Sequence, residues 1–514
     1  MSGELCLAVD LGTSGPKVGL VDFDGTVLDC ERHVVATTYT PNGGATQDAA
    51  QWWDLVAAAS RRLVARRGAS QRVRAVAVTG QYASTVPVDA NGVPTGPCLT
   101  WFDRRGAAQV RTRLGGPVMG YNPRKILPFV RKTGGAPSMA GDDPVAHMLY
   151  LAATDADLVA RTRWFLEPVE YLTMRFTGVA AATHASHLAS WLTDNRDVSR
   201  LAYDRGLLDL AGLDDRRLPP LQPFGSIVGR ATAAVASDLG LDPDAVVITG
   251  MPDLHAGALG SGGVRPYETH LALSTSSWIS CPVPAKKTDV GHSIAAVPGL
   301  TAGSYLVVNN QQTGARALDW LRGVLSATQP SPTYEELSAL AATAAPGSGG
   351  ATFAPWLAGE RSPIEDKLVR GGFTQLSVTT TTADLVRAVL EGVAANSAWL
   401  MSYVERFTKR TLSPVRLLGG GAQSELWCQV YADTLARPVE QVPQPMFAQL
   451  RGVALAAAAA VRDVTYEEAT AVVARGRVFT PDDDTVDLYR TRRAQVRTRF
   501  DVERRFSTRA ASAG

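Results

Sequence analysis

The chain is poor in cysteine, in long apolar runs and in charge of either sign. Five cysteines occur in 514 residues, at positions 6, 30, 98, 281 and 428. Their odd number, wide spacing and lack of a C-x-x-C pair exclude a disulfide framework and a zinc ribbon, and predict buried thiols in a reducing, cytoplasmic setting. The longest uninterrupted apolar run, residues 453–461, is nine residues of mostly alanine, well short of the ~20 that span a bilayer. Glu4 and Asp10 interrupt the first apolar stretch, so it does not read as a signal peptide. Lys and Arg total 51 against 49 Asp and Glu, a net charge of +2, which gives no support for a nucleic-acid partner. With 45% apolar and 19% charged residues, the composition suits a folded enzyme and excludes a largely disordered chain. At ~150 residues per domain the length predicts roughly two to four domains.

What is present is an ordered grammar of strands, polar turns and helices. Residues 5–10 and 17–22 read as apolar strands joined by a glycine-and-hydroxyl turn, and Asp24-Gly25 turns into a third strand over 26–29. A helix is predicted over 50–66 and a strand over 73–79, ending at Gly80. The second half repeats this order: strands over 269–273 and 278–283 around a turn of small hydroxyl residues, a helix over 382–405, then a strand over 414–418 that stops at Gly419-Gly-Gly421. Such internal similarity predicts two related α/β halves. The glycines at 257, 260, 262 and 263 suggest a hinge between them, giving domains 1–258 and 259–514. The arginine-rich stretch from Arg490 reads as a solvated helix end and frayed tail.

Several turns carry side chains suited to chemistry. Asp10 ends a strand and is followed by Gly12, Thr13, Ser14 and, after Gly15, by Lys17. Backbone N–H groups freed by glycine and the two hydroxyls suit phosphate oxygens, while a carboxylate beside them can hold Mg²⁺ through water. Because Lys17 opens a strand rather than a helix, this is not a Walker loop; a plain polar hairpin is the alternative. Asp253, after an apolar strand, reads either as a general base or as a helix cap. The loop 418–424 enters a helix over 425–435 and could hold a nucleotide; as a dinucleotide fingerprint with Glu440 it is a weak match, since Ser424 replaces the third glycine. Trp101 and Asp103, in Thr100-Trp-Phe-Asp-Arg-Arg105, suit stacking on a sugar and accepting its hydroxyls, or else form a salt-bridged structural turn. His184 and His187, without a carboxylate companion, read as a surface pair rather than metal ligands.

Taken in order, these segments resemble the FGGY carbohydrate kinases, which have two ribonuclease-H-like domains of the actin-like ATPase superfamily with a cleft between them. The resemblance spans nearly the whole chain. It rests on Asp10-Leu-Gly-Thr-Ser14 with Lys17, Trp101-Phe-Asp-Arg-Arg105, Gly359-Glu-Arg-Ser-Pro363, Arg387-Ala-Val-Leu-Glu-Gly392 and Gly419-Gly-Gly-Ala-Gln-Ser-Glu-Leu-Trp427. Gln47, Gln51-Trp-Trp53 and Gly80-Gln81 make it most similar to the xylulokinases within that family. The resemblance implies ATP- and Mg²⁺-dependent phosphorylation of a small-molecule sugar or polyol. It implies Asp253 as base and Asp10 toward the metal. Gly12, Thr13, Ser14, Lys17, Thr275, Gly314, Gly420, Gly421 and Ser424 would then meet ATP, and Gln81, Tyr82, Trp101 and Asp103 the substrate. A homodimer is carried as an expectation.

The chain also departs from the family pattern. Pro252 and Leu254 flank Asp253, Tyr82-Ala83 stands where xylulokinases carry methionine-histidine, and Ser274 and Ser277 replace glycines of the second phosphate turn. The first two changes remove polar groups from the sugar side and point away from D-xylulose itself. Together these departures define the rival expectations: a kinase for another ketose, polyol or sugar acid, or a degenerate member that binds without transferring phosphate.

Overall fold

The structure, a computed structural model, describes residues 3–326 and 330–513. In Leu5–Gly12 (β1), Leu5, Leu7 and Val9 enter one buried cluster and Cys6 and Ala8 another, as the two-residue period of a strand covered on both faces requires. β1 turns at Thr13-Ser14 into antiparallel Gly15–Asp22 (β2), which pairs in turn with Val27–Arg32 (β3). Helix Ala49–Arg67 (α1), with Asp48 accepting from Ala50 N at 2.9 Å as its cap, leads to Val73–Gly80 (β4), parallel to β1. Ile227–Arg230 (β5) and Val246–Ile248 (β6) complete the sheet in the order β5-β6-β4-β1-β2-β3. Asp253–Gly260 (α2) follows.

A second sheet repeats the scheme. Thr269–Leu273 (β7) and Ser277–Ser280 (β8) form an antiparallel hairpin. After the 27-residue helix Thr382–Thr408 (α3), Val415–Leu418 (β9) runs parallel to β7. Glu425–Leu435 (α4) connects it to Val439–Gln441 (β10), parallel to β9. Beyond helix Ala448–Arg462 (α5), Val478–Phe479 (β11) closes an antiparallel edge, giving β8-β7-β9-β10-β11. Both sheets share a hairpin, two parallel strands and an antiparallel edge, the repeated α/β architecture expected from the sequence; the first adds β3 beyond its hairpin and a short strand, Met251–Pro252, parallel to the end of β4.

Between the sheets lie α2 and α5, within a core rich in small residues: Ala8, Ala75, Ala77, Ala256, Ala258, Ala454, Ala457 and Ala272. Small side chains let two helices approach closely. A Cβ on Gly452 would fall 1.9 Å from Ala256 O, and one on Gly260 would fall 1.8 Å from Ala448 O. Two of the four glycines read as a hinge, Gly257 and Gly260, therefore belong to a buried helix and its close crossing. Although α5 comes late in the chain, it packs against β1 and β4 of the first sheet.

The C-terminal helix Asp483–Ala513 (α6) also differs from expectation, because its arginines are not simply solvated. Phe500 is fully buried, and Arg492, Arg497 and Arg499 donate to Gly347 O, Tyr403 Oη and Thr352 Oγ1. It straps the second domain rather than fraying from it. Four cysteines are buried and Cys30 is half-buried, all as free thiols. Among the described residues no helix is long and apolar enough to cross a membrane.

Candidate active site

Strand register builds the first half of the site. Asp10 pairs with Thr79, and Thr79 with Met251; one step on, Leu11 pairs with Gly80 and Gly80 with Pro252. The next residues, Gly12, Gln81 and Asp253, therefore emerge together where the strands end, the usual place for ligands in open α/β sheets. Gly12 and Gly15 close the hairpin, leaving Thr13 and Ser14 as its two-residue loop, with Ser14 exposed. Asp10 is almost fully buried and receives Lys17 Nζ at 2.6 Å.

Asp253 is the first residue of α2. Pro252 holds the N-cap position, so the cap alternative does not describe this aspartate. Burial pushes its carboxyl up from 3.8 to about 7, and the charge of Asp10 adds to the rise; the backbone N–H of Leu254 and the charge of Lys17 pull the other way. Beside it, the half-buried Tyr82 hydroxyl is also pushed up, by burial and then by Asp253, while Arg361 of the second domain opposes the rise. The Tyr82 loop is held from beneath by buried Glu167, which accepts from Ala83 N at 3.2 Å and Ser84 N at 3.0 Å. Gln81 is buried, and its Oε1 has no hydrogen-bond partner among the described residues.

The second half is assembled from three loops. Gly314 lies against the β7–β8 turn, donating to Thr275 O at 2.9 Å, and a Cβ there would fall 2.5 Å from Ser276 O. Gly419, at φ +97°, crosses over Leu273 and Ser274 equally closely. This leaves Thr275 and Gly420 exposed at the tips, with open space over Gly420, and Gly421 buried behind them. Ser424 caps α4, accepting from Trp427 N at 3.2 Å, and its hydroxyl pairs with Ser338 Oγ at 2.7 Å.

Other expected contacts take different forms. Asp103 has no exposed surface; it accepts from Ala45 N at 2.9 Å and from Arg105 Nη2 at 2.7 Å. The salt-bridged turn is thus the arrangement observed, and its carboxylate does not reach the cleft. Trp101 stands at the site, but its indole N–H donates to Thr13 Oγ1 at 3.1 Å and its ring lies 3.7 Å from that of Phe102. His184 and His187 are buried rather than superficial, and His187 Nε2 does have a carboxylate companion, Glu170 Oε2, at 3.2 Å. Glu440, on β10 between β9 and the edge strand β11, is paired with Arg475 Nη1 at 3.3 Å. No cluster of three metal-ligating side chains occurs among the described residues.

Two further residues at the candidate site were given no role from the sequence. Gln47 links Gln81 to Thr13, and its place in the Gln-x₃-Gln-Trp-Trp pattern was the available signal. Arg361 is exposed and without an ion pair among the described residues. Its backbone N–H is held by buried Glu360 at 2.9 Å, within the quoted Gly-Glu-Arg-Ser-Pro segment.

Two sheets of repeated topology, each with polar turns at its strand ends, define a two-domain α/β fold. The comparisons fix the family. Residues 5–260 match the N-terminal domain of the FGGY family of carbohydrate kinases and residues 273–461 match its C-terminal domain, so the chain belongs to that family. Its members phosphorylate sugars, and this chain is a carbohydrate kinase of that kind. Relatives include the xylulose kinase of Streptomyces rubiginosus, 29% identical over 481 residues, 92% of this chain and 90% of that one. The xylulose kinase of Staphylococcus epidermidis (strain ATCC 35984) is 26% identical over 493 residues, 95% of each chain. The gluconokinase of Bacillus subtilis is 24% identical over 499 residues, 94% and 93%. Gluconate kinase from Lactobacillus acidophilus shares the fold at a TM-score of 0.83 and 20% identity, covering 98% of both chains.

Proposed function

We propose that the protein transfers the γ-phosphoryl group of ATP·Mg²⁺ to a hydroxyl of a ketose, polyol or sugar acid held beside Asp253. The substrate lies on the side of residues 1–258, against Gln81, Tyr82 and the edge of Trp101. ATP lies toward residues 259–514, its phosphates between the Thr13-Ser14 and Thr275 turns and its nucleoside over Gly420, in front of Gly314, Gly421 and Ser424. The site suits these groups. Three loop tips offer hydroxyls and backbone N–H groups to a polyanion, and the Gln81 carbonyl oxygen lacks a donor that a sugar hydroxyl would supply. Asp10 and Lys17 make a carboxylate–ammonium pair suited to a phosphate-borne Mg²⁺, which takes most of its ligands from phosphate oxygens and water.

In the transfer, Asp253 accepts the hydroxyl proton as the oxygen bonds to the γ-phosphorus and ADP leaves. The observation that supports this reading most is the half-buried Asp253 carboxyl, raised to about 7 at the convergence of the strand ends. A base works best with a pKa near the operating pH.

Relatives acting on xylulose and on gluconate leave the substrate class to the site. Arg361, without an ion pair among the described residues and opposing the rise at Tyr82, favours a substrate with a negative group, a sugar acid, over a neutral ketose. A panel of pentuloses, polyols and aldonates with ATP tests both readings. Aldonate phosphorylation that is lost in Arg361→Ala supports the acid. Pentulose turnover with no aldonate activity supports the neutral sugar. Thermal stabilisation by a sugar without a phosphorylated product would identify a non-catalytic binder.

A further inference from the structure

Thr13, half of the two-residue phosphate turn, is held at two atoms by side chains from outside its own hairpin. Its carbonyl accepts from Gln47 Nε2 at 2.8 Å and its hydroxyl oxygen accepts from Trp101 Nε1 at 3.1 Å. One donor lies in a small sheet and the other just beyond it: Gln47 pairs with Cys98 of the strand Cys98–Leu99, and Trp101 lies in the turn two residues past that strand's end. Gln47 is buried and fully engaged: its second amide hydrogen goes to Thr37 Oγ1 at 2.8 Å, and its Oε1 faces Gln81 Nε2 at 3.4 Å. A continuous line of amide groups thus runs from the sugar-side strand end, through Gln47, to the phosphate turn. Because Trp101 occupies a lone pair of the Thr13 hydroxyl, the O–H is directed away from the indole.

We propose that Gln47 and Trp101 are positioning residues that fix the backbone and hydroxyl of Thr13 for the ATP phosphates, and that Gln47 links this turn to sugar binding at Gln81. The inference rests on the kinase reading above, but its test does not need the sugar to be known. Trp101 would then act chiefly on the nucleotide side, and its ring edge only secondarily on the sugar.

The test is a double-mutant cycle read by titration calorimetry of ATP·Mg²⁺ binding to the full-length wild type, Trp101→Phe, Thr13→Val and the double variant. Trp101→Phe keeps an aromatic ring and removes the N–H, so it should raise the ATP Kd by about 3- to 10-fold, the worth of one hydrogen bond. In the Thr13→Val background, which lacks the acceptor, the same change should have no further effect. Independent, additive effects, or a Trp101→Phe protein that binds ATP like wild type, would overturn the proposal. A wild type that binds no ATP would instead overturn the kinase reading beneath it. Gln47→Ala should lower kcat by about 10- to 100-fold through misplacement of the turn. It should also raise ATP hydrolysis without sugar relative to transfer, with the sugar KM changed less than about 3-fold. A loss of thermal stability with kcat and coupling intact would reduce Gln47 to a structural role.

Discussion

Asp253→Asn should inactivate the enzyme and stabilise it at the same time. The carboxyl is held at about 7 against an ordinary 3.8, chiefly by burial and next by Asp10. A folded-state value above the unfolded one means that raising the pH through this interval ionises the unfolded chain first. Stability is therefore undiminished below pH ~4, falls as pH rises, and reaches its full deficit above pH ~7. The interval of about 3 pH units corresponds to about 4 kcal/mol, an upper bound because part of the carboxylate meets solvent. Asparagine keeps the shape and carries no charge to desolvate. Urea unfolding of the two proteins should give matching stabilities near pH 4 and a growing advantage for Asp253→Asn up to pH 8. In parallel, kcat should fall by ~10²–10⁴-fold, the usual contribution of a general base. An Asn variant less stable than wild type at pH 8, or one that keeps its kcat, would refute this account of Asp253.

Other expectations follow from the same geometry. Asp10→Asn removes the like charge near Asp253, so the acid limb of kcat/KM should move to lower pH, while the Mg²⁺ concentration for half-activity rises; Lys17→Met should move the limb upward. Both are read from pH–rate profiles with Mg²⁺ titrations. Gly452→Ala puts a methyl carbon 1.9 Å from Ala256 O, far inside van der Waals contact. Prying α5 from α2 should cost about 1–3 kcal/mol by chemical denaturation and lower kcat through displacement of Asp253. Asp103→Ala leaves the Ala45 N–H without its acceptor and frees the half-buried Arg105, and should destabilise by about 1–3 kcal/mol, the cost of an unsatisfied buried donor; a change in sugar KM with stability intact would return Asp103 to the substrate.

The parts legible in the sequence are those written in local pattern. Alternating apolar residues around Asp10 and Val73, and a glycine or hydroxyl turn at each strand end, located both hairpins and the Gly419–Gly421 loop. Side chains whose environment comes from distant residues were less legible. Asp103 could be offered a sugar or Arg105 on sequence grounds, and only folding puts Ala45 N beneath it. His187 lacks a carboxylate nearby in sequence because Glu170 arrives from the preceding helix. The glycines at 257 and 260 carry the signature of a flexible link, yet both lie in α2, where Gly257 faces His270 of β7 and Gly260 lets α2 cross α5, a helix nearly 200 residues away. Arg361 stood inside a recognised motif, and its lack of an ion pair among the described residues is a property of the fold alone.

The most direct test of the central claim is product analysis by mass spectrometry after incubation of wild type and Asp253→Asn with ATP, Mg²⁺ and the panel of pentuloses, polyols and aldonates. The account predicts a phosphorylated sugar, stoichiometric with ADP, from at least one class with wild type and at least a hundredfold less with the variant. Equal product from both proteins, or ADP formation with no phosphorylated sugar from any of the three classes, would contradict it.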